Sequence, residues 1–238
     1  MTGKSRATDV LSGRLANVRQ RIEDAARRCE RSPQDITLVA ISKTHPAEII
    51  QAALDCGISE FGENRVQEAE AKIVEVGRDS ARWHLVGHLQ SNKTRRAVQL
   101  FDVIHSLDSV ELAQRLDRLC AEEGKEQLPV LIQVNLAGEK TKAGIDPRDL
   151  PQLLETLAGC EHVSLVGLMI LPPYFENPDC GRPFFRALRE LRDDMKRDGR
   201  FGERPGELSM GMSHDFEIAI EEGATIVRVG TAIFGERS

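Results

Sequence analysis

"ITLVAISKTHPAEIIQAALDCG", residues 36–57, decides the fold. It opens with a continuous β-rich apolar run, "ITLVAIS" (36–42). Pro46 then stands in the first turn of a helix that Gly57 closes from the C′ position. A strand runs straight into a helix, and the unit recurs downstream. "SEFGE" (59–63) precedes a helix predicted over 64–77, with Val66, Ala69, Ile73 and Val76 on one face. "WHLVG" (83–87) leads to "SNKTRRAVQL", and "FDVIHSL" leads to a helix that Asp108 opens, Glu111 completes as a capping box and Gly124 ends. The fifth strand is "PVLIQVNLA" (129–137), with a helix from Pro151 to Ala158. The sixth is "VSLVGLMI" (163–170), followed by a loop rich in Pro and Gly and a helix carrying Phe184, Leu188, Leu191 and Met195. "ELSMGM" (207–212) is the seventh; it meets Ser213, an N-cap for a short helix ending at Gly223, and "TIVRVG" (225–230) is the eighth.

Eight strands alternating with helices, each strand apolar on both faces, call for a parallel sheet buried on both sides. Eight such units close into a (β/α)8 barrel of the TIM type. An open doubly wound sheet is the alternative, but no G-x-G-x-x-G follows the first strand. Upstream, Leu11, Leu15, Val18, Ile22, Ala25 and Cys29 form one stripe of an additional N-terminal helix. No linker or composition break divides the chain, so one domain is expected over residues 1–238, with residues 1–8 flexible.

Composition narrows the function classes. The chain has 32 Lys plus Arg against 38 Asp plus Glu, a net charge of −6, which gives no electrostatic case for nucleic acid or an anionic membrane surface. Any anion must be bound locally. Cys29, Cys56, Cys120, Cys160 and Cys180 are scattered without a C-x-x-C pair, which reads as reduced thiols of a cytoplasmic protein rather than a disulfide framework or zinc ribbon. The start has no apolar signal region, and no window is long enough for a membrane span.

In such a barrel, chemistry sits at the C-terminal ends of the strands, and phosphate is commonly held by the loops after strands seven and eight. Those loops carry Ser213 within "MGMS" and Gly230 and Thr231 within "RVGTA": hydroxyls and a glycine where backbone N–H groups attract an anion. Arg228, in mid-strand, shares a face with Ile226 and Gly230 and needs either an internal carboxylate or a ligand acceptor. Lys43 ends the first strand, which adjoins the eighth when the barrel closes. An amine, a guanidinium and a phosphate cradle at one mouth suit an aldehyde bearing a phosphate and an aromatic nitrogen, and pyridoxal 5′-phosphate has all three. A half-buried lysine at a strand end can reach its carbonyl as the neutral nucleophile. A Schiff-base aldolase would also use the amine and the anion site, but it leaves Arg228 without a role. His84 and His88 straddle a strand end, so hydrogen-bonded histidines are expected there rather than a metal pair; His45, His105, His162 and His214 show no ligand spacing. "SNKTRR" reads as a solvated helix start, and the acidic residues form no isolated general-acid pair.

Taken together, "VAISKTHP", "FGENRVQE", "WHLVGHLQSNK", "GLMILPP" and "LSMGMSHDFEIAIEEGATIVRVGTAIFG" resemble the pyridoxal phosphate homeostasis protein family, over residues 9 to 235. The resemblance implies an alanine-racemase-like barrel of fold type III without the racemases' β-domain. It implies Lys43 linked covalently to pyridoxal 5′-phosphate as a Schiff base, Arg228 facing the pyridine nitrogen, and Ser213, Gly230 and Thr231 on the phosphate, with Met212 and Asn64 lining the site. It further implies a monomeric protein of vitamin B6 homeostasis that holds and delivers the cofactor, with dependent apoenzymes as recipients and no established turnover. The segment "YFENPDCGRP" (174–183) matches least, and no site is carried from it. A small amino-acid racemase is the alternative; it needs a second base, and the one tyrosine, Tyr174, lies in that segment, while His88 is a substitute in principle.

Overall fold

The computed structural model describes residues 3–138 and 143–236, with side chains from residue 8 onward. Its centre is a closed barrel of eight parallel strands in sequential order: β1 (Thr37–Ile41), β2 (Glu60–Glu63), β3 (Arg82–Leu85), β4 (Val103–Leu107), β5 (Leu128–Gln133), β6 (Val163–Met169), β7 (Glu207–Met212) and β8 (Ile226–Val229). β8 closes on β1 with Val39 opposite Arg228. Seven connecting helices surround it: α2 (Ala47–Asp55), α3 (Val66–Val76), α4 (Thr94–Leu100), α5 (Val110–Glu122), α6 (Leu150–Ala158), α7 (Arg182–Arg197) and α8 (Phe216–Glu221). α1 (Gly3–Arg28) precedes the barrel and α9 (Thr231–Phe234) follows it.

The barrel form of the expectation thus holds and the open sheet does not. α1 begins well before the stripe that predicted it, and of the flexible stretch expected at residues 1–8, Met1 and Thr2 lie outside the described residues. Its stripe residues from Leu11 to Ala25 are buried, and α1 packs on α8 and α9, where Arg21 forms a two-point ion pair with Glu217.

Alternation along the strands sorts the apolar residues into two cores. One lies between barrel and helices and holds Phe61, Trp83, Val227 and Val229; the other fills the barrel with Val39, Ile41, Val86, Val103, Leu131, Met169 and Ile226. Arg228 follows Ile226 on the inward face, as the alternation predicted.

Local signals worked where they were purely local. Gly57, at φ +80, ends α2 with the N–H of Ile58 on the carbonyl of Ala53 and its own N–H on that of Leu54, a Schellman motif. Boundaries elsewhere shift. α3 starts at Val66, which leaves Asn64 in the connection. α5 is capped by Ser109, not Asp108: the Ser109 hydroxyl accepts from Leu112 N–H at 3.3 Å, so Glu111 falls one position short of a capping box. β5 ends at Gln133; Val134 still donates to the Met169 carbonyl of β6 at 2.9 Å but also forms a bridge to Ile145, and from Asn135 the backbone bonds to that segment. Among the described residues no helix is long and apolar enough to cross a membrane.

Candidate functional site

All strands direct their C-terminal ends to one mouth, and there the connections after β1, β2, β3, β5, β6, β7 and β8 line a cavity of about 740 Å³. The barrel brings together every residue singled out from sequence: Lys43, Asn64, Met212, Ser213, Arg228, Gly230 and Thr231 all line it.

Lys43 sits in the turn after β1, and its two neighbours are clamped from below. Ser42 donates its hydroxyl to Glu63 at 2.6 Å and its carbonyl accepts from Lys72 Nζ at 2.7 Å; on the other side, Thr44 N–H donates to Glu68. Lys72 also reaches Glu63 at 2.8 Å and Glu68 at 2.7 Å, so its three protons are all used. Thr44 adopts φ +67, a region costly for a β-branched residue. Glu63 is fully buried; burial pushes its carboxyl up against the pull of Lys72.

Arg228, also buried, makes no ion pair with a carboxylate among the described residues. It donates to Ser209 Oγ at 2.6 Å and to the carbonyl of Ile170 at 2.8 Å. Burial pulls its guanidinium down to about 10, with Asp215 drawing it back up, so it stays charged near neutrality.

Ser213 does not cap the helix that follows it. Met212 N–H bonds to the Asp215 carboxylate at 2.6 Å and Asp215 N–H returns to the Met212 carbonyl, a tight turn that delays α8 to Phe216. The Ser213 hydroxyl is thereby swung toward β8, where it accepts from the N–H groups of Gly230 at 3.1 Å and Ala232 at 3.3 Å. The loops after β7 and β8 therefore meet through donors suited to an anion. Asn64 is placed by close approach: a Cβ at Gly87 would lie 2.2 Å from its carbonyl oxygen, so only glycine fits position 87.

Sequence reasoning missed His45, Gln133, Tyr174 and His214, which also line the cavity. His45 was within reach, lying two residues past Lys43 in the same strand-end loop. Tyr174 was not: it belongs to the least matched segment, yet its ring lies tilted against that of His214 with centroids 5.3 Å apart. His88 faces the cavity and pairs with Asp108 at 3.4 Å, while His84 is buried in the barrel, hydrogen-bonded as expected. Arg95 and Arg96 of the basic helix start are tied to Glu122, Glu123 and Glu70 on neighbouring helices.

Comparison with known proteins agrees with this architecture. The alanine racemase N-terminal domain family matches residues 14–238. The pyridoxal phosphate homeostasis protein of Aquifex aeolicus is 45% identical over 224 residues, covering 94% of this chain and 97% of that one. The chain belongs to the pyridoxal phosphate homeostasis protein family. A solved structure within its reach is PipY of Synechococcus elongatus PCC7942 with PLP bound, 40% identical, TM-score 0.82, covering 94% of this family member and all of PipY. Alanine racemase of Corynebacterium glutamicum, at 17% identity and TM-score 0.68, shares the fold; the match covers 97% of this chain and 61% of that one.

Proposed function

We propose that this protein binds pyridoxal 5′-phosphate and serves vitamin B6 homeostasis by holding and delivering it to dependent apoenzymes. The observation that carries the reading is the convergence in one cavity of Lys43, Arg228 and the Ser213–Gly230–Thr231 cluster. The donor set fits the cofactor's three polar features. Lys43 bonds through its amine nitrogen to the aldehyde carbon with loss of one water; Arg228, which can only donate, faces the ring nitrogen. Ser213, Thr231 and the N–H groups at Gly230 and Ala232 receive the phosphate, and Met212 and Asn64 flank it. The chemistry the cofactor supplies when bound is an electron sink. An arginine leaves the ring nitrogen unprotonated and that sink weak, which suits a carrier better than a catalyst.

The test is borohydride reduction of the loaded protein followed by peptide mapping. A pyridoxyl group is expected on Lys43, and a labelled peptide lacking Lys43 would refute the assignment. The reading extends to a cytoplasmic monomer, with recipients identified by direct transfer assays.

The His88–Asp108 pair at the cavity supports a second reading, a small amino-acid racemase with His88 as the second base. Incubation with L-alanine in heavy water decides between them. The carrier leaves the α-carbon at the free-cofactor background; protein-dependent deuterium and D-alanine that vanish in Lys43→Ala and His88→Phe would establish the racemase.

A further inference from the structure

A chain of hydrogen bonds crosses the barrel interior from its floor to Arg228. Glu60 begins β2 at the N-terminal end of the barrel, where it also lines a second cavity of about 470 Å³. Its Oε2 meets His84 Nε2 at 2.5 Å; His84 Nδ1 meets His105 Nε2 at 2.8 Å; His105 Nδ1 meets Ser209 Oγ at 2.9 Å; and Ser209 Oγ accepts from Arg228 at 2.6 Å. His84, His105, Ser209 and Arg228 are buried, on four different strands.

Chemistry gives this chain one direction. A guanidinium has no lone pair to offer, so Ser209 accepts from Arg228 and its own hydrogen goes to His105 Nδ1. His105 then carries its proton on Nε2 and gives it to His84 Nδ1; His84 carries its proton on Nε2 and gives it to the Glu60 carboxylate. Every hydrogen has an acceptor, and both imidazoles are neutral. The reverse order would aim two donors at Ser209 and leave its hydroxyl hydrogen with no acceptor among the described residues. Burial first, then the neighbouring His84 ring and the charges of Arg228 and Arg82, hold His105 well below the ordinary histidine value, in agreement with a neutral ring. The other charges facing the chain are Arg82, 3.8 Å from the second Glu60 oxygen, and Asp215 near Arg228.

We propose that Glu60, His84, His105 and Ser209 are positioning residues that act through Arg228, fixing it from the barrel floor as a hydrogen-bond donor toward a ring nitrogen of the ligand in the cavity. The last link rests on the cofactor reading above; the chain itself belongs to the protein without ligand. An apolar interior at these positions would fill the barrel equally well but would leave the guanidinium with the Ile170 carbonyl alone, and free to turn.

Two measurements test it. Two-bond ¹H–¹⁵N correlation spectra of the ligand-free full chain at pH 7.5 should show His84 and His105 both as Nε2–H tautomers; an Nδ1–H tautomer at either one overturns the chain. Affinity is then compared for pyridoxal phosphate and its analogue with carbon in place of the ring nitrogen. Ser209→Ala should lower the preference for the nitrogen-containing ligand about tenfold and leave the analogue's affinity unchanged, because a charged hydrogen bond loses its orientation. Equal weakening of both ligands would reduce Ser209 to a structural role and overturn the proposal. If wild-type protein binds neither ligand, the cofactor reading fails and the aim of Arg228 with it, whatever the tautomers show.

Discussion

At the scale of single residues, Thr44 states the cost of placing Lys43. A left-handed backbone costs a non-glycine residue roughly 1–2 kcal/mol, and Thr44 holds φ +67 while its side chain is exposed and its N–H is tied to Glu68. Nothing in its own packing requires threonine there. Thr44→Gly keeps the N–H bond and removes the strain, but gives the unfolded chain more freedom, worth about 0.4–1 kcal/mol. The expected result in urea denaturation is stability equal to wild type or up to about 1.5 kcal/mol higher. Covalent capture of pyridoxal phosphate by Lys43 should become several-fold weaker as the turn relaxes. A Thr44→Gly protein that is markedly less stable would show that the strain reading is mistaken.

At the scale of elements, α3 is locked to the turn after β1 by Lys72, and this lock was invisible in sequence. Lys72 lies on the buried side of α3 among Val66, Ala69 and Ile73, so a pattern reader passes over it as one lysine on an amphipathic helix. Its meaning appears only when the fold brings Ser42 and Glu63 to it. Lys72→Met should destabilise the protein by about 3–5 kcal/mol, because it strands the buried Glu63 carboxylate instead of merely deleting an interaction. Adding Glu63→Gln to that variant should restore part of the loss, since a neutral amide tolerates burial better. Chemical denaturation of both variants checks the order; a double variant less stable than Lys72→Met would mean the network is not the source. The same logic explains Ser213. Read locally it caps the next helix, but the Asp215 turn redirects it to a different strand's loop. Elements were legible because apolar period and caps are local; assignments that depend on which element lies opposite were not.

At the scale of the whole molecule, eight repeated strand–helix units made the barrel legible, and closure then followed by count. That the candidate site residues would share one cavity was legible too, because strand ends and their following loops converge on one mouth whatever the details. The polar interior was not legible. His84, His105 and Ser209 lie on different strands, and nothing in their spacing tells that closure aims them at one another. Their burial makes a prediction for the molecule as a whole. His105 is held well below the histidine value of 6.5, chiefly by burial and by His84, whereas the unfolded chain leaves it near that value. Below about pH 6.5 the unfolded state therefore binds a proton that the folded state refuses. Stability from this group is complete above that pH and is lost as the pH falls, by at most about 1.4 kcal/mol per pH unit. His45, also lowered by burial, acts in the same direction but is partly exposed, and solvent screening makes its share smaller. His105→Gln keeps a donor and an acceptor in place but cannot titrate. Urea denaturation of wild type and variant at pH 7.5 and 5.5 should show the variant less stable at the higher pH but losing about 1 kcal/mol less between the two. Equal losses would mean that His105 takes up its proton in the folded barrel as readily as in the unfolded chain, and the neutral imidazoles between Glu60 and Arg228 would then persist only above about pH 6.5.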